Sequence, residues 1–264
     1  MEIVFDILVI SGGVLGCFMS MSIACSSFFK SKANNYLSIS ILILSIIMVL
    51  GWLNPGTGIF EMIRAIMWEM LIPVTLLTYF LIHLKHPFFK TRVYKLLYLP
   101  FIVSFLIDVF LELDFSMNLY KLPVNIEDSI VQIIFSIESW FSIFLNAILM
   151  IWARSLIKKA DIEQKIRQWL LRLNAMLLGI IFIWFLQQLG IILLGSTFSL
   201  LVIWISISIL LWFLLYYGVF KLQIAIERKE IHQLIIRQKK KTQSPYNIKK
   251  ISQKTRKLGK VTNN

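Results

Sequence analysis

The chain has 264 residues, of which 58% are hydrophobic, with a formal net charge of +13 and a mean hydropathy of +0.78. Runs of about 20 apolar residues with few charges are long enough to cross the hydrocarbon core of a bilayer as helices, and these runs lack the alternating polarity of barrel strands. The composition excludes a water-soluble domain and predicts an all-α, polytopic membrane protein.

Seven apolar segments, taken in chain order, predict seven transmembrane helices. They are residues 7–29, 37–53, 67–84, 96–111, 130–152, 173–194 and 198–220. The motif "NPGTG" at 54–58 is a strong turn signal, and only "GST" at 195–197 separates the last two segments. The first segment lacks the basic region of a signal peptide, because acidic Glu2 and Asp6 flank it. Residues 1–220 are therefore predicted to form a seven-helix transmembrane bundle.

The distribution of basic residues predicts the orientation of this bundle. With the N-terminus outside, all but two of the 27 lysines and arginines fall on the inner side, and the two exceptions are Arg64 and Lys121. Short cytoplasmic loops carry an excess of Lys and Arg, and an even number of spans would break this partition. The sequence therefore favours an outside N-terminus and a cytoplasmic C-terminus.

Small residues recur every four positions along the first segment, at Gly12, Gly16, Ser20 and Ala24. This spacing places them on one helix face, where small side chains let two helix backbones approach closely. The favoured interpretation is packing within the bundle. A contact between two copies of the chain, giving a homodimer, is the alternative.

Polar side chains inside the predicted spans are the candidate ligand-sensing residues. They are Glu69, Asp108, Glu138, Gln187 and Gln188, all placed in the outer half of the bundle by the predicted orientation. Ionisable groups within a membrane are costly, so they indicate function by default. One interpretation is an outward-facing pocket for an unknown small molecule, an ion or a proton. The other, which we favour, is a set of interhelical hydrogen bonds.

Signatures of catalysis and metal binding are missing from the sequence. It contains neither a GxSxG nucleophile turn nor an HExxH zinc motif. His83 and His86 have the spacing of one helix face, but no further ligand is evident nearby. The seventh segment has no lysine for the Schiff base of a microbial rhodopsin. We therefore expect no enzyme activity, no catalytic residue, no metal site and no cofactor.

The residues after the seventh segment are polar and basic. Residues 221–243 predict a cytoplasmic stalk helix, and residues 244–264 predict a disordered basic tail. Basic segments next to a membrane are attracted to anionic lipids at its cytoplasmic face. The lysines expected to make this contact are Lys239, Lys240, Lys241, Lys249 and Lys250. Base stacking needs aromatic side chains, and the tail offers only Tyr246, so direct DNA binding is not expected.

Four stretches carry a resemblance to a known family: "LIPVTLLTYFLIHLKHPF", "YKLLYLPFIVSFLIDVF", "IEQKIRQWLLRLNAMLL" and "LLWFLLYYGVFKLQ". Over residues 1–240, their hydropathy and aromatic placement resemble the membrane sensor region of seven-transmembrane-helix AraC-type transcription regulators of Bacteroidetes-like bacteria. In that family the last span ends in an aromatic–glycine element, matched here by "YYG" at 216–218, and a linker leads to a helix-turn-helix DNA-binding domain. The resemblance implies a multi-pass sensor in the bacterial inner (cytoplasmic) membrane.

The resemblance does not extend to a DNA-binding domain. Nothing after residue 244 has the apolar periodicity of two packed helix-turn-helix units. The chain is therefore expected to be the signal-receiving half of such a regulator, whether shortened naturally or by truncation. The alternatives are a transporter of a small molecule or ion, and a membrane scaffold with a lipid-binding basic tail. The ligand, the oligomeric state and the output partner stay open.

Overall fold

The computed structural model describes residues 2–26, 31–53, 59–117, 129–194 and 200–217, and within these ranges every regular element is helical. The α-helices are α1 (Glu2–Cys25), α2 (Lys32–Leu53), α3 (Ile59–Ala65), α4 (Leu71–His83), α5 (Arg92–Leu96), α6 (Leu99–Met117), α7 (Ser129–Lys159), α8 (Gln164–Leu194) and α9 (Leu200–Leu214). A 3₁₀ turn, Trp68–Met70, precedes α4, and a second, Pro87–Lys90, precedes α5. The all-α prediction is confirmed for the described residues.

Five helices of the described chain are long and apolar enough to cross a membrane, as judged by length and composition. They are Asp6–Cys25, Lys32–Trp52, Arg92–Asp114, Val131–Lys159 and Gln164–Leu193. The third and seventh predicted spans correspond to shorter apolar helices, Trp68–His83 and Val202–Tyr217. The structure is therefore compatible with a membrane protein. The count of seven spans and the orientation stay predictions.

The C-terminus of α4 is closed by a Schellman motif. The His86 N–H donates to the Leu81 carbonyl at 2.9 Å, and the Lys85 N–H donates to the Ile82 carbonyl at 3.1 Å. Lys85 directly follows Leu84, the last residue that caps the helix. Its φ of 50° lies in the left-handed region where glycine is usual. Pro87 follows directly, so the helix cannot continue. This stop separates α4 from the aromatic-rich segment that leads to α6.

Replacing exposed Lys85 by glycine is expected to raise the free energy of unfolding by about 1 kcal/mol, because glycine adopts positive φ without a Cβ clash. Lys85→Ala is the matched control, since it removes the same charge but keeps the Cβ. Thermal unfolding of both variants in lipid nanodiscs checks this. Equal stabilisation by alanine and glycine would mean that the charge, and not the backbone, is responsible.

The bundle is built from neighbouring pairs of helices. Helix α1 packs on α2, α2 on α4, α4 on α7, and α7 on α8, while α3 packs on α6. Hydroxyl groups connect these pairs across the apolar core. The Ser20 and Ser38 hydroxyls each donate to the other residue's carbonyl, at 2.8 and 2.9 Å, and the Ser40 and Thr75 hydroxyls lie 2.7 Å apart. Such contacts are the usual polar connections between helices that lack water around them.

The small-residue face of α1 is turned mostly into the bundle. A Cβ added at Gly12 would meet the Ser208 hydroxyl at 3.0 Å, and one at Gly16 would lie 2.1 Å from the Ser45 hydroxyl. Ser20 makes the reciprocal bonds already described, whereas Ala24 is exposed. Three of the four small residues therefore serve packing between helices of one chain. Of these four residues, Ala24 alone has an exposed side chain that a second copy of the chain could contact.

The chain divides into two compact units, Met1–Trp212 and Phe213–Asn264. Every side chain of the candidate site belongs to the first unit. The predicted stalk (221–243) and basic tail (244–264), with the five lysines expected to contact anionic lipid, lie outside the described residues.

Candidate functional site

An interhelical cavity of about 210 Å³ lies between α2, α4, α7, α8 and α9. Its walls are mainly aliphatic and include Leu44, Ile47, Ile72, Leu76, Leu177 and Ile181. An apolar cavity of about 150 Å³ in another protein is large enough to bind benzene. The space in this bundle is therefore sufficient for a small organic molecule with a substantial apolar part.

Four polar residues are among those that line this cavity. Glu69 comes from the 3₁₀ turn before α4, Asn146 from the middle of α7, and Gln187 and Gln188 from the last two turns of α8. The Asn146 Nδ2 donates to the backbone carbonyl of Glu69 at 2.9 Å and also to the Ser142 carbonyl at 2.9 Å. This side chain therefore fixes the turn that carries Glu69 against α7.

Gln187 carries a buried hydrogen-bond acceptor close to the cavity. Its side chain is only 4% exposed, and its Oε1 has no partner among the described residues. Most buried polar atoms in proteins are paired, and leaving one unpaired costs about 1–3 kcal/mol. The Oε1 atom has almost no accessible surface, so a molecule within the cavity would reach it only if the Gln187 side chain turned.

Two tryptophans, Trp184 and Trp204, complete the lining beside the polar residues. Trp204 reaches the cavity by lying directly against the backbone of Gly51. A Cβ added at Gly51 would lie 2.7 Å from both the Cη2 and the Cζ2 atom of the indole. Real Cβ atoms essentially never lie that close to a neighbouring atom. Glycine at position 51 therefore leaves the space that the Trp204 ring occupies.

Asp108 and Glu138 form a separate cluster that does not line the cavity. Asp108 Oδ2 accepts hydrogen bonds from the Met67 N–H at 3.0 Å and from the Ser104 hydroxyl at 3.4 Å. The Glu138 carboxyl lies next to that of Asp108, and the two residues are 8% and 1% exposed. The pair connects α6, α7 and the turn after α3.

The five predicted sensing residues are therefore divided between two places. Glu69, Gln187 and Gln188 lie together at the cavity, whereas Asp108 and Glu138 connect helices. The cavity and the acidic pair are close to each other. Glu69 is two residues from Met67, whose N–H donates to Asp108, and Glu69 also interacts electrostatically with Asp108.

Sequence reasoning did not assign the tryptophans to a site. The signal was present in α8, where the lining residues Leu177, Ile181, Trp184 and Gln188 recur at helical spacing and so share one face.

The two histidines considered as metal ligands have other contacts. The His86 Nδ1 accepts a hydrogen bond from the Phe88 N–H at 3.3 Å, and the His83 ring packs on Tyr79 with centroids 4.7 Å apart. Within the described parts of the chain, no group of three or more His, Cys, Asp or Glu side chains is arranged to hold a metal ion.

Comparison of the chain with protein-family models, with curated proteins and with solved structures gave no match in any of the three. The resemblance to AraC-type sensor regions therefore stays a prediction. A functional proposal has to rest on the cavity and the residues around it.

Proposed function

We propose that this chain is a membrane-embedded receptor whose signal is a small molecule bound in the interhelical cavity. The observation that carries the proposal is a largely apolar cavity of about 210 Å³ whose lining also includes four polar residues, Glu69, Asn146, Gln187 and Gln188. Binding sites for small molecules are typically concave and mostly apolar, with a few polar groups that fix the ligand's orientation.

The lining of the cavity comes from five helices and the 3₁₀ turn before α4, which supports a role in signalling. A ligand shifts the balance between two conformations only if it binds one of them better. Here the turn that carries Glu69 also carries Met67, whose N–H donates to Asp108 in the α6–α7 pair. A ligand that displaces this turn would therefore alter the hydrogen bonds of the acidic pair.

The receptor is proposed to be the signal-receiving half of a membrane-bound AraC-type transcription regulator, multi-pass in a bacterial inner membrane. The four resembling stretches and the one-sided distribution of basic residues support this assignment. The DNA adjoining the coding sequence is expected to encode an AraC-type helix-turn-helix domain. If no frame there and no neighbouring gene encodes one, the AraC assignment is wrong, while the receptor proposal is unaffected.

Blocking the cavity is the test of the receptor proposal. Ile181 lines the cavity and is 9% exposed, so Ile181→Phe is expected to fill it, whereas Ile148 on α7 is 63% exposed and Ile148→Phe is the matched control. The probe is n-octanol, added to the full chain in nanodiscs. At about 100 times its Kd, it is expected to stabilise the wild type and Ile148→Phe by about 2.7 kcal/mol.

The Ile181→Phe variant is expected to lose this stabilisation. An equal response of all three proteins would contradict the proposal, because it would show only that octanol enters the bilayer. Flux of the same probe in proteoliposomes distinguishes the transporter alternative. We expect the flux to equal that of protein-free vesicles. A saturable flux that Ile181→Phe abolishes would favour a transporter.

A further inference from the structure

We infer that the cavity is selective for a protonated aliphatic amine, held by its ammonium group beside Glu69 and by its chain along the apolar walls. This inference rests on the proposed receptor function and names the ligand class of the same cavity. Three features of the lining carry it: an acid, no basic side chain among the described lining residues, and a pair of indole rings.

The electrostatic environment of Glu69 favours a cation. Among the described residues that line the cavity, none is basic. Asp108, another acid, acts on Glu69 electrostatically. Arg64 does not line this cavity; it lines an adjoining cavity of about 220 Å³ that also includes Glu69, and its side chain is exposed. An ammonium group beside Glu69 would stabilise the ionised carboxylate, whereas an anionic ligand there would be repelled by it.

The hydrogen-bonding chemistry of Glu69 favours a donor. Its carboxyl supplies acceptor oxygens to the lining. A primary ammonium has three N–H donors, an alcohol has one, and a carboxylate has none. Among these groups, the ammonium offers Glu69 the most hydrogen-bond donors.

The indole rings favour the same group. Trp184 and Trp204 line the cavity together with Glu69 and Gln187, and both are half-buried. A cation over an indole face is attracted by the ring's quadrupole, and tryptophan is the best side chain for this contact. Aromatic rings beside an acid are a recurring arrangement for ammonium groups, whereas an alkyl chain needs only the aliphatic walls.

A chain-matched series of probes tests the inference. We expect the full chain in nanodiscs to bind n-octylamine about tenfold more tightly than n-octanol and octanoate, measured by calorimetry against protein-free nanodiscs. The Glu69→Gln variant keeps the side-chain shape and removes the acid. It is expected to bind octanol as the wild type does and to lose the preference for octylamine.

The outcomes separate the two proposals. If octanol or octanoate binds the wild type as tightly as octylamine, or if Glu69→Gln keeps the preference, the ligand class is wrong. Binding that still depends on Ile181 would then leave the receptor proposal standing. If none of the three probes binds above protein-free nanodiscs, the receptor proposal fails and the ligand class fails with it.

Discussion

Replacing Asp108 by alanine is expected to lower the free energy of unfolding by about 1–3 kcal/mol. Asp108 Oδ2 accepts the hydrogen bonds of the Met67 N–H and the Ser104 hydroxyl, and the same carboxyl lies next to that of Glu138. Because the site is buried and lies between helices, water does not replace these bonds easily. Alanine would leave the Met67 N–H without this partner.

Asp108→Asn is the matched control for this prediction. The asparagine oxygen can still accept from the Met67 N–H, and its amide can donate to Glu138, so we expect a loss of less than about 1 kcal/mol. Thermal unfolding of the three proteins in nanodiscs gives the comparison. If alanine and asparagine destabilise the chain equally, the carboxyl group does not act through these hydrogen bonds.

Replacing Gly51 by alanine is expected to have an effect of similar size on stability and a further effect on binding. The new Cβ would lie 2.7 Å from two ring atoms of Trp204, so the indole has to move. Overpacking of this kind costs about 1–3 kcal/mol. Since Trp204 lines the cavity, we also expect octylamine to bind about tenfold more weakly.

The control for this substitution is Gly179→Ala in α8, where a Cβ would meet nothing within 4 Å. Alanine is favoured over glycine in a helix by up to about 1 kcal/mol, so this variant is expected to be neutral or more stable. Its octylamine affinity should equal that of the wild type. A Gly51→Ala protein with unchanged stability and affinity would show that Trp204 is free to shift without consequence.

Helical class was predictable from composition, but the ends of the apolar segments did not mark the ends of the helices. The fifth apolar segment was predicted at 130–152 and the sixth at 173–194, whereas the helices are Ser129–Lys159 and Gln164–Leu194. Hydropathy detects where a segment leaves the apolar core. It does not detect where the backbone stops being helical, and here both helices continue through basic, amphipathic residues.

The third predicted segment, 67–84, is not one continuous α-helix. It begins with the 3₁₀ turn Trp68–Met70, and α4 starts only at Leu71. Glu69 lies in that turn. The position of this candidate site residue therefore depends on a break in the α-helix that hydropathy does not reveal.

The polar residues of the spans could be found from the sequence, but their grouping could not. Glu69, Asp108 and Gln187 all stand out because a buried polar group is costly in an apolar segment. That cost is the same whether the group binds a ligand or another helix. The packing of α6 against the turn at Met67 is what shows that Asp108 Oδ2 accepts hydrogen bonds, whereas the Gln187 Oε1 and the Asp108 Oδ1 have no partner among the described residues.

The central claim is that a small molecule binds inside the bundle, and the most direct measurement is where such a molecule becomes attached. An alkylamine with a photoreactive diazirine on its chain would be irradiated with the full chain in nanodiscs, and labelled peptides would be identified by mass spectrometry. We predict labels on peptides that contain Trp184 or Trp204, and we predict that excess octylamine and Ile181→Phe remove them. Labels confined to exposed apolar residues such as Leu106 and Ile148, and unaffected by competitor, would contradict the account.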